Sequence, residues 1–232
     1  NEKSFTDFCK SKDISKKDLQ IIGVYNSNGK QFFVNRIIFP IMDQRSNIIG
    51  FGGRIIQPIG PKYLNGPETI LYKKSKSLYT VPNFSESAKK DKTIYVFEGY
   101  IDVVAAYIYG INTAVAPCGT ALTNEHLEYL SNFKSNIVLC FDNDEAGFEA
   151  TKRVLNLNTR KEKALNIQVL QFKKHKDIGD MLEKGVLEDF EKLIDTKKEL
   201  VDFLFREEIG NKLDQKMKKN QIVYNLSGLL NS

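Results

Sequence analysis

From Thr93 onward, short apolar runs alternate with helix-like stretches, and the apolar runs end on acids. A run of about five apolar residues bounded by turn signals reads as a buried strand. Thr93–Phe97 is predicted as one such strand, leading to a helix from about Asp102 to Tyr109 that Gly110 closes. Thr113–Ala116 then leads, through Pro117-Cys118-Gly119-Thr120, to a helix over Asn124–Phe133 with Thr123 as N-cap. Asn136–Phe141 leads to a helix over Glu145–Leu155. Asn166–Phe172 leads through His175-Lys176-Asp177-Ile178-Gly179-Asp180 to another helix. Repeated strand–helix units of this length allow few solutions, and a parallel sheet with helices on both faces is the common one. After Leu187 only helical patterns are read, with Leu200, Phe203, Leu204 and Ile209 on one face.

In an open α/β sheet, sites are built beyond the carboxyl ends of the strands. Glu98 stands there after the first strand, with Asp102 four residues on; Asp142 and Asp144 stand there after the third. If both strands share one sheet, Glu98, Asp142 and Asp144 converge on one edge. Three carboxylates at close quarters repel one another unless cations lie between them. Hard oxygen donors favour Mg²⁺ or Mn²⁺. Asp177 and Asp180 form a third acidic corner, for which helix N-capping is an equally good account taken singly. His126 sits in an amphipathic helix and reads as structural, and His175 as exposed. No nucleophile elbow, dinucleotide fingerprint or phosphate-binding loop is present.

The amino-terminal part is built differently. Residues 1–12 read as a frayed polar segment, and Ser15 as the cap of a short helix ended by Gly23. Gln31 to Met42 reads as a strand broken at Pro40, with a hairpin loop at Asp43–Asn47 and a second strand over Ile48–Ile56. Gly50, Gly52 and Gly53 in that strand mark either a close approach or a bend. Pro58 to Thr80 is irregular and carries the cluster Lys73-Lys74-Ser75-Lys76, which suits phosphate contact; without the carboxylates elsewhere in the chain a solvated loop would be the better account.

Charge separates along the chain. Residues 1–90 carry 15 Lys and Arg against 7 Asp and Glu, a balance of +8; the remainder carries 19 against 22, a balance of −3. A basic part beside a carboxylate cluster suits a polyanionic substrate. Cys9, Cys118 and Cys140 lie far apart and read as free thiols, with neither disulfide nor zinc site implied. No apolar run is long enough to span a bilayer. The chain opens on Asn rather than Met, as expected of a fragment or processed product.

Glu98-Gly99-Tyr100-Ile101-Asp102 together with Asp142-x-Asp144-x-Ala146-Gly147 resembles the Toprim domain shared by primases, topoisomerases and some nucleases. Asn35-Arg36-Ile37-Ile38-Phe39-Pro40-Ile41, Gly50-Phe51-Gly52-Gly53-Arg54 and Lys62-Tyr63-Leu64-Asn65-Gly66-Pro67-Glu68-Thr69 resemble the segments that precede Toprim in bacterial DnaG-type primases. The resemblance runs from about Arg36 to Asp180. It implies a Toprim-type sheet over 91–185, preceded by a basic α+β subdomain over 1–90 and followed by a truncated helical segment over 186–232.

It also implies synthesis of short RNA primers on single-stranded DNA from ribonucleoside triphosphates. Glu98 matches the Toprim glutamate, a metal ligand or general acid/base. Asp142 and Asp144 match the metal-binding pair, and Asp102 the acid closing the first motif. Asp177 matches the first acid of a later Asp-Pro-Asp motif. Gly179 stands where the second Asp is expected, and Asp180 is the substitute one residue on. Arg36, Arg54, Lys62, Asn65 and Lys74 match basic and polar positions of the nucleotide- and DNA-binding surface. The implied cofactor is Mg²⁺ or Mn²⁺, more than one ion, with no zinc. The implied setting is a monomer in the bacterial cytoplasm or a bacterial-derived organelle, without membrane contact. Helicase docking and zinc-dependent template choice are expected to lie largely outside this chain. Two rivals stay open: another Toprim enzyme that cleaves DNA, and an inactive module that binds DNA or a helicase.

Overall fold

A computed structural model describes residues 2–57, 59–160 and 164–213. The chain divides into two compact units, one of 1–79 with 118–120 and one of 80–117 with 121–232.

The first unit opens with α1 (Glu2–Ser11) and α2 (Lys16–Ile21). Residues 2–11 are thus helical rather than frayed. The reason is tertiary: Cys9 is buried with Leu19 and Tyr25, and Phe5, one turn earlier on the same face, packs against that cluster. Ser15 caps α2 as expected, in a reciprocal box with Asp18. Strands β1 (Arg36–Met42), β2 (Ile48–Ile55) and β3 (Tyr63–Asn65) form an antiparallel sheet in that order. Pro40 does not break β1, which continues through it paired with Phe51. β1 is an edge strand of this sheet, where a missing N–H costs no ladder bond if it faces outward. The hairpin loop is held by the Asp43 carboxylate, which accepts from the N–H groups of Arg45 and Asn47, both at 2.8 Å. Gly50 is a close approach: a Cβ there would lie 2.8 Å from the buried Tyr72 ring.

The second unit is the α/β body. After β4 (Leu78–Thr80) come α3 (Phe84–Lys90), β5 (Thr93–Phe97) and α4 (Tyr100–Tyr109). Then follow β6 (Ala114–Pro117), α5 (Asn124–Ser131), β7 (Asn136–Cys140), α6 (Glu145–Thr159), β8 (Ile167–Val169) and α7 (Ile178–Glu183). A short 3₁₀ turn, α8 (Phe190–Ile194), β9 (Lys198–Glu199) and α9 (Leu200–Leu213) complete the described chain.

The strand order is β4-β6-β5-β7-β8-β9. β6, β5, β7 and β8 run parallel, and β9 runs antiparallel to β8. The chain steps from β5 to β6 on one side, then returns to β7 on the other. The switch point of this order lies between β5 and β7, where open sheets place their ligands.

Ile94, Val96, Ala114, Val115, Val138 and Leu139 are all buried in the sheet, as expected of strands covered on both faces. α4 packs with α7, and α6 with α9. α3 was not read from the sequence. It is held by Phe84, whose ring meets Phe133 edge-on at 5.4 Å. β9 replaces part of what was read as purely helical chain; two residues with no apolar alternation carry no strand signal, and backbone pairing to Gln168 and Val169 makes it. Leu200, Phe203 and Leu204 are buried on α9 as expected, and the Ile209 side chain lies outside the described residues.

Candidate active site

β5 and β7 are adjacent and in register, Phe97 opposite Cys140. The residues that follow them therefore meet at the switch point. Glu98 Oε1 accepts from the Asp142 backbone N–H at 3.0 Å, so the first motif is bonded to the second. Asp144 caps α6, its Oδ1 accepting from Gly147 N–H at 3.0 Å. Gly147 is required by space: a Cβ there would lie 2.1 Å from the Asp142 carbonyl oxygen and 3.1 Å from Glu98 Oε1. Asp102, in the first turn of α4, accepts from Gly99 N–H at 3.1 Å, and also from Gly179 N–H.

Asp177 caps α7, accepting from Asp180 N–H at 2.6 Å, so the capping account holds for it. Its other oxygen lies 3.5 Å from Lys176 Nζ, which also stands 2.5 Å from Asp142 Oδ2. Lys176 thus bridges acids from two strand ends. Its carbonyl accepts from Asn143 N–H at 2.8 Å, tying the two loops through backbone as well.

Asp180 turns elsewhere. Its carboxylate pairs with Lys184 at 2.8 Å and His175 at 3.3 Å. His175 is therefore part-buried in that contact rather than exposed. His126 is fully buried and completes the Thr123 cap, as its structural reading expected.

Electrostatics follow from crowding. Burial, then the charges of Asp177 and Asp142, push the Asp102 carboxyl up from 3.8 to about 7. Desolvation, then Asp142, raise Glu98. Burial raises Asp142 against the opposing pull of Lys176. The hydrogen bond to Asp142 holds Lys176 above the ordinary lysine range. Lys184 and its neighbours hold Asp180 low.

The donor set fits a cation. Carboxylate oxygens from separate strand ends converge, and an ammonium already sits between two of them. Among the described residues, no three acidic, His or Cys side chains close around one point. The Asp142 and Asp177 carboxylates share the Lys176 ammonium, and Glu98 is bonded to the Asp142 backbone.

Lys176 was missed in the sequence. Its only local signal is a lysine adjoining Asp177 in the same strand-end loop. Of the basic and polar residues of the first unit, Arg36 donates to the carbonyls of Pro61 (2.9 Å) and Gly53 (3.4 Å). Arg54 lies over the Tyr63 ring, 5.6 Å from its centre, and reaches its hydroxyl. Lys62 is exposed beside the same ring. Asn65 packs on Gly119, and the Lys74 backbone N–H donates to Glu68.

Parallel order with a switch at β5/β7, glutamate after the first strand and Asp-x-Asp after the third define a Toprim-type domain. Residues 95–182 match the Toprim-like family, and residues 1–85 match the family described as DNA primase catalytic core, N-terminal domain. A DNA primase domain from Pseudomonas aeruginosa is 31% identical, with a TM-score of 0.81 over 93% of this chain and 70% of that one. A DnaG primase catalytic domain bound to ssDNA is 28% identical, with a TM-score of 0.76 over 93% of this chain and 76% of that one. The DNA primase of Clostridium acetobutylicum is 35% identical over 84% of this chain and 33% of its own length. The chain belongs to the DnaG-type DNA primase family, within its catalytic core. It spans about a third of the length of the curated relatives it matches.

Proposed function

We propose that this chain is the nucleotidyl-transfer core of a DNA primase, joining ribonucleotides into short RNA primers on a single-stranded DNA template. The observation that carries the reading is the meeting of Glu98 and Asp142 at the switch point, with Asp177 joined through a cation. The primase relatives, one of them bound to ssDNA, support the substrate class.

Glu98, Asp142, Asp144 and Asp177 would hold Mg²⁺ or Mn²⁺; when bound, such an ion offsets negative charge developing on the transferred phosphoryl group. The chain's own residues do the rest. Backbone bonds from Asp142 and Gly147 orient the Glu98 and Asp144 carboxylates. The raised affinity of Glu98 for a proton suits it to take one from an attacking 3′-hydroxyl. Asp102 braces the starts of α4 and α7 from within and positions the other acids, in place of direct nucleotide contact.

Asp180, committed to Lys184 and His175, stays outside the ligand set. Lys62 and Lys74 reach phosphates as point charges and Asn65 supplies a polar contact, while Arg36 and Arg54 chiefly brace the β-sheet of the first unit. Template binding through phosphates makes affinity fall with salt. Helicase docking belongs to the longer protein, in a bacterial cytoplasm.

The test is incorporation of labelled ribonucleotides on single-stranded DNA with Mg²⁺ or Mn²⁺, for this chain and for Asp142→Ala. Short RNA that disappears in the variant is the expected result. DNA cleavage, or products unchanged by Asp142→Ala, would overturn the reading.

A further inference from the structure

Two carboxylates held close together in a half-buried site need a positive charge between them, and this chain supplies one of its own. The Lys176 ammonium lies 2.5 Å from Asp142 and 3.5 Å from Asp177. An ammonium bridging two hard-oxygen donors fills the place those donors would offer a divalent ion. The ammonium occupies Oδ2 of each acid, so a divalent ion seated between those two oxygens meets a like charge in its place.

The two halves of Lys176 are anchored differently. Its backbone is fixed, the carbonyl accepting from Asn143 N–H at 2.8 Å and the N–H reaching Asp180 at 3.4 Å. Its side chain is 60% exposed, whereas those of Asp142 and Asp177 are 16% and 17% exposed. The head group is therefore a charge on a flexible four-carbon stem with solvent on one side, and its departure needs no movement of the loop.

We propose that Lys176 is a tethered, exchangeable countercation: it neutralises the Asp142–Asp177 pair in the metal-free protein and yields the position to a divalent cation. The inference rests on the reading of this cluster as a metal-dependent nucleotidyl-transfer site.

Removing the ammonium then has two opposite effects. The metal-free fold loses its countercharge and weakens, because like charges face one another. The divalent ion no longer has a competitor and binds more tightly. A lysine whose ammonium does not face the place of the divalent ion produces the first effect and not the second.

Lys176→Met keeps the stem and drops the charge. Mn²⁺ alone is the probe, its binding to the full chain read from the electron paramagnetic resonance of free Mn²⁺. The thermal midpoint is read in chelator and in saturating Mg²⁺. We expect Mn²⁺ affinity in Lys176→Met to rise about tenfold, equivalent to about 1.4 kcal/mol. The midpoint should fall in chelator and return to the wild-type value in Mg²⁺. Lys176→Arg keeps the charge and should stay within about threefold of wild type in Mn²⁺ affinity.

Unchanged or weaker Mn²⁺ binding in Lys176→Met, or equal tightening in Lys176→Arg, overturns the exchange. Asp142→Ala separates this from the reading beneath it. If Asp142→Ala binds Mn²⁺ as wild type does, the metal site itself is wrong and the exchange falls with it. If Asp142→Ala loses Mn²⁺ while Lys176→Met leaves affinity unmoved, the exchange alone is wrong.

Discussion

Replacing Asp102 by Asn should change how stability depends on pH more than it changes stability at any one pH. Asp102 is largely buried, and burial with the charges of Asp177 and Asp142 raises its folded-state pKa from 3.8 to about 7. Between those values the folded protein holds a proton that the unfolded chain has released, so stability falls as pH rises. The contribution is fully present below pH 3.8 and gone above about 7. For this one group, the linkage relation gives a loss of about 2–3 kcal/mol on going from pH 5 to pH 8. Asn cannot ionise, so that loss is absent from the variant. Asn also brings its own cost: its NH₂ replaces one of the two oxygens that accept from Gly99 N–H and Gly179 N–H, and one unsatisfied bond costs about 1–3 kcal/mol. That cost is the same at every pH.

Urea unfolding of wild type and Asp102→Asn in metal-free buffer at pH 5, 6, 7 and 8 separates the two terms. The difference between the proteins should move in favour of Asn by about 2–3 kcal/mol across the range. Glu98 and Asp142 titrate in both proteins and largely cancel. Parallel curves would refute the reasoning, because they would mean that Asp102 is ionised at pH 5 in the folded state.

Gly147→Ala places a methyl group 2.1 Å from the Asp142 carbonyl and should destabilise the second unit by about 3 kcal/mol or more, read by urea unfolding; a loss under about 0.5 kcal/mol would contradict the packing. Glu98→Gln can still accept from the Asp142 N–H, so it should keep the wild-type melting profile while ribonucleotide incorporation falls on the order of 100-fold. Asp177→Ala should reduce incorporation to a similar degree, whereas Asp180→Ala should stay within about threefold of wild type, since Asp180 faces Lys184 and His175. Equal losses in those two variants would return Asp180 to the ligand set.

Much of the α/β body was legible along the chain because its signals are local. Five-residue apolar runs, the Thr123 cap and the acids ending two strands need no distant partner to be read, and β5 falls on its expected residues. α1 was missed because a short polar helix is stabilised by burying Cys9 against Leu19 and Tyr25, residues of a later segment. β9 was missed because two residues, Lys198 and Glu199, are a strand only by virtue of β8 beside them. Pro40 was read as a break because an edge strand cannot be distinguished from an interior one without its neighbours.

For the site, the residue types and their spacing determined that acids stand after strands, and hence that carboxylate chemistry with cations was available. Only the tertiary structure decided which of them meet. The order β6-β5-β7-β8 puts Glu98 against the Asp142 backbone, places Lys176 between Asp142 and Asp177, buries Asp102 under two helix starts and leaves Asp180 to Lys184. The physical reason is range. Capping and periodicity act over three or four residues, whereas strand adjacency and the electrostatic coupling of charges act through space, between residues the chain keeps tens of positions apart.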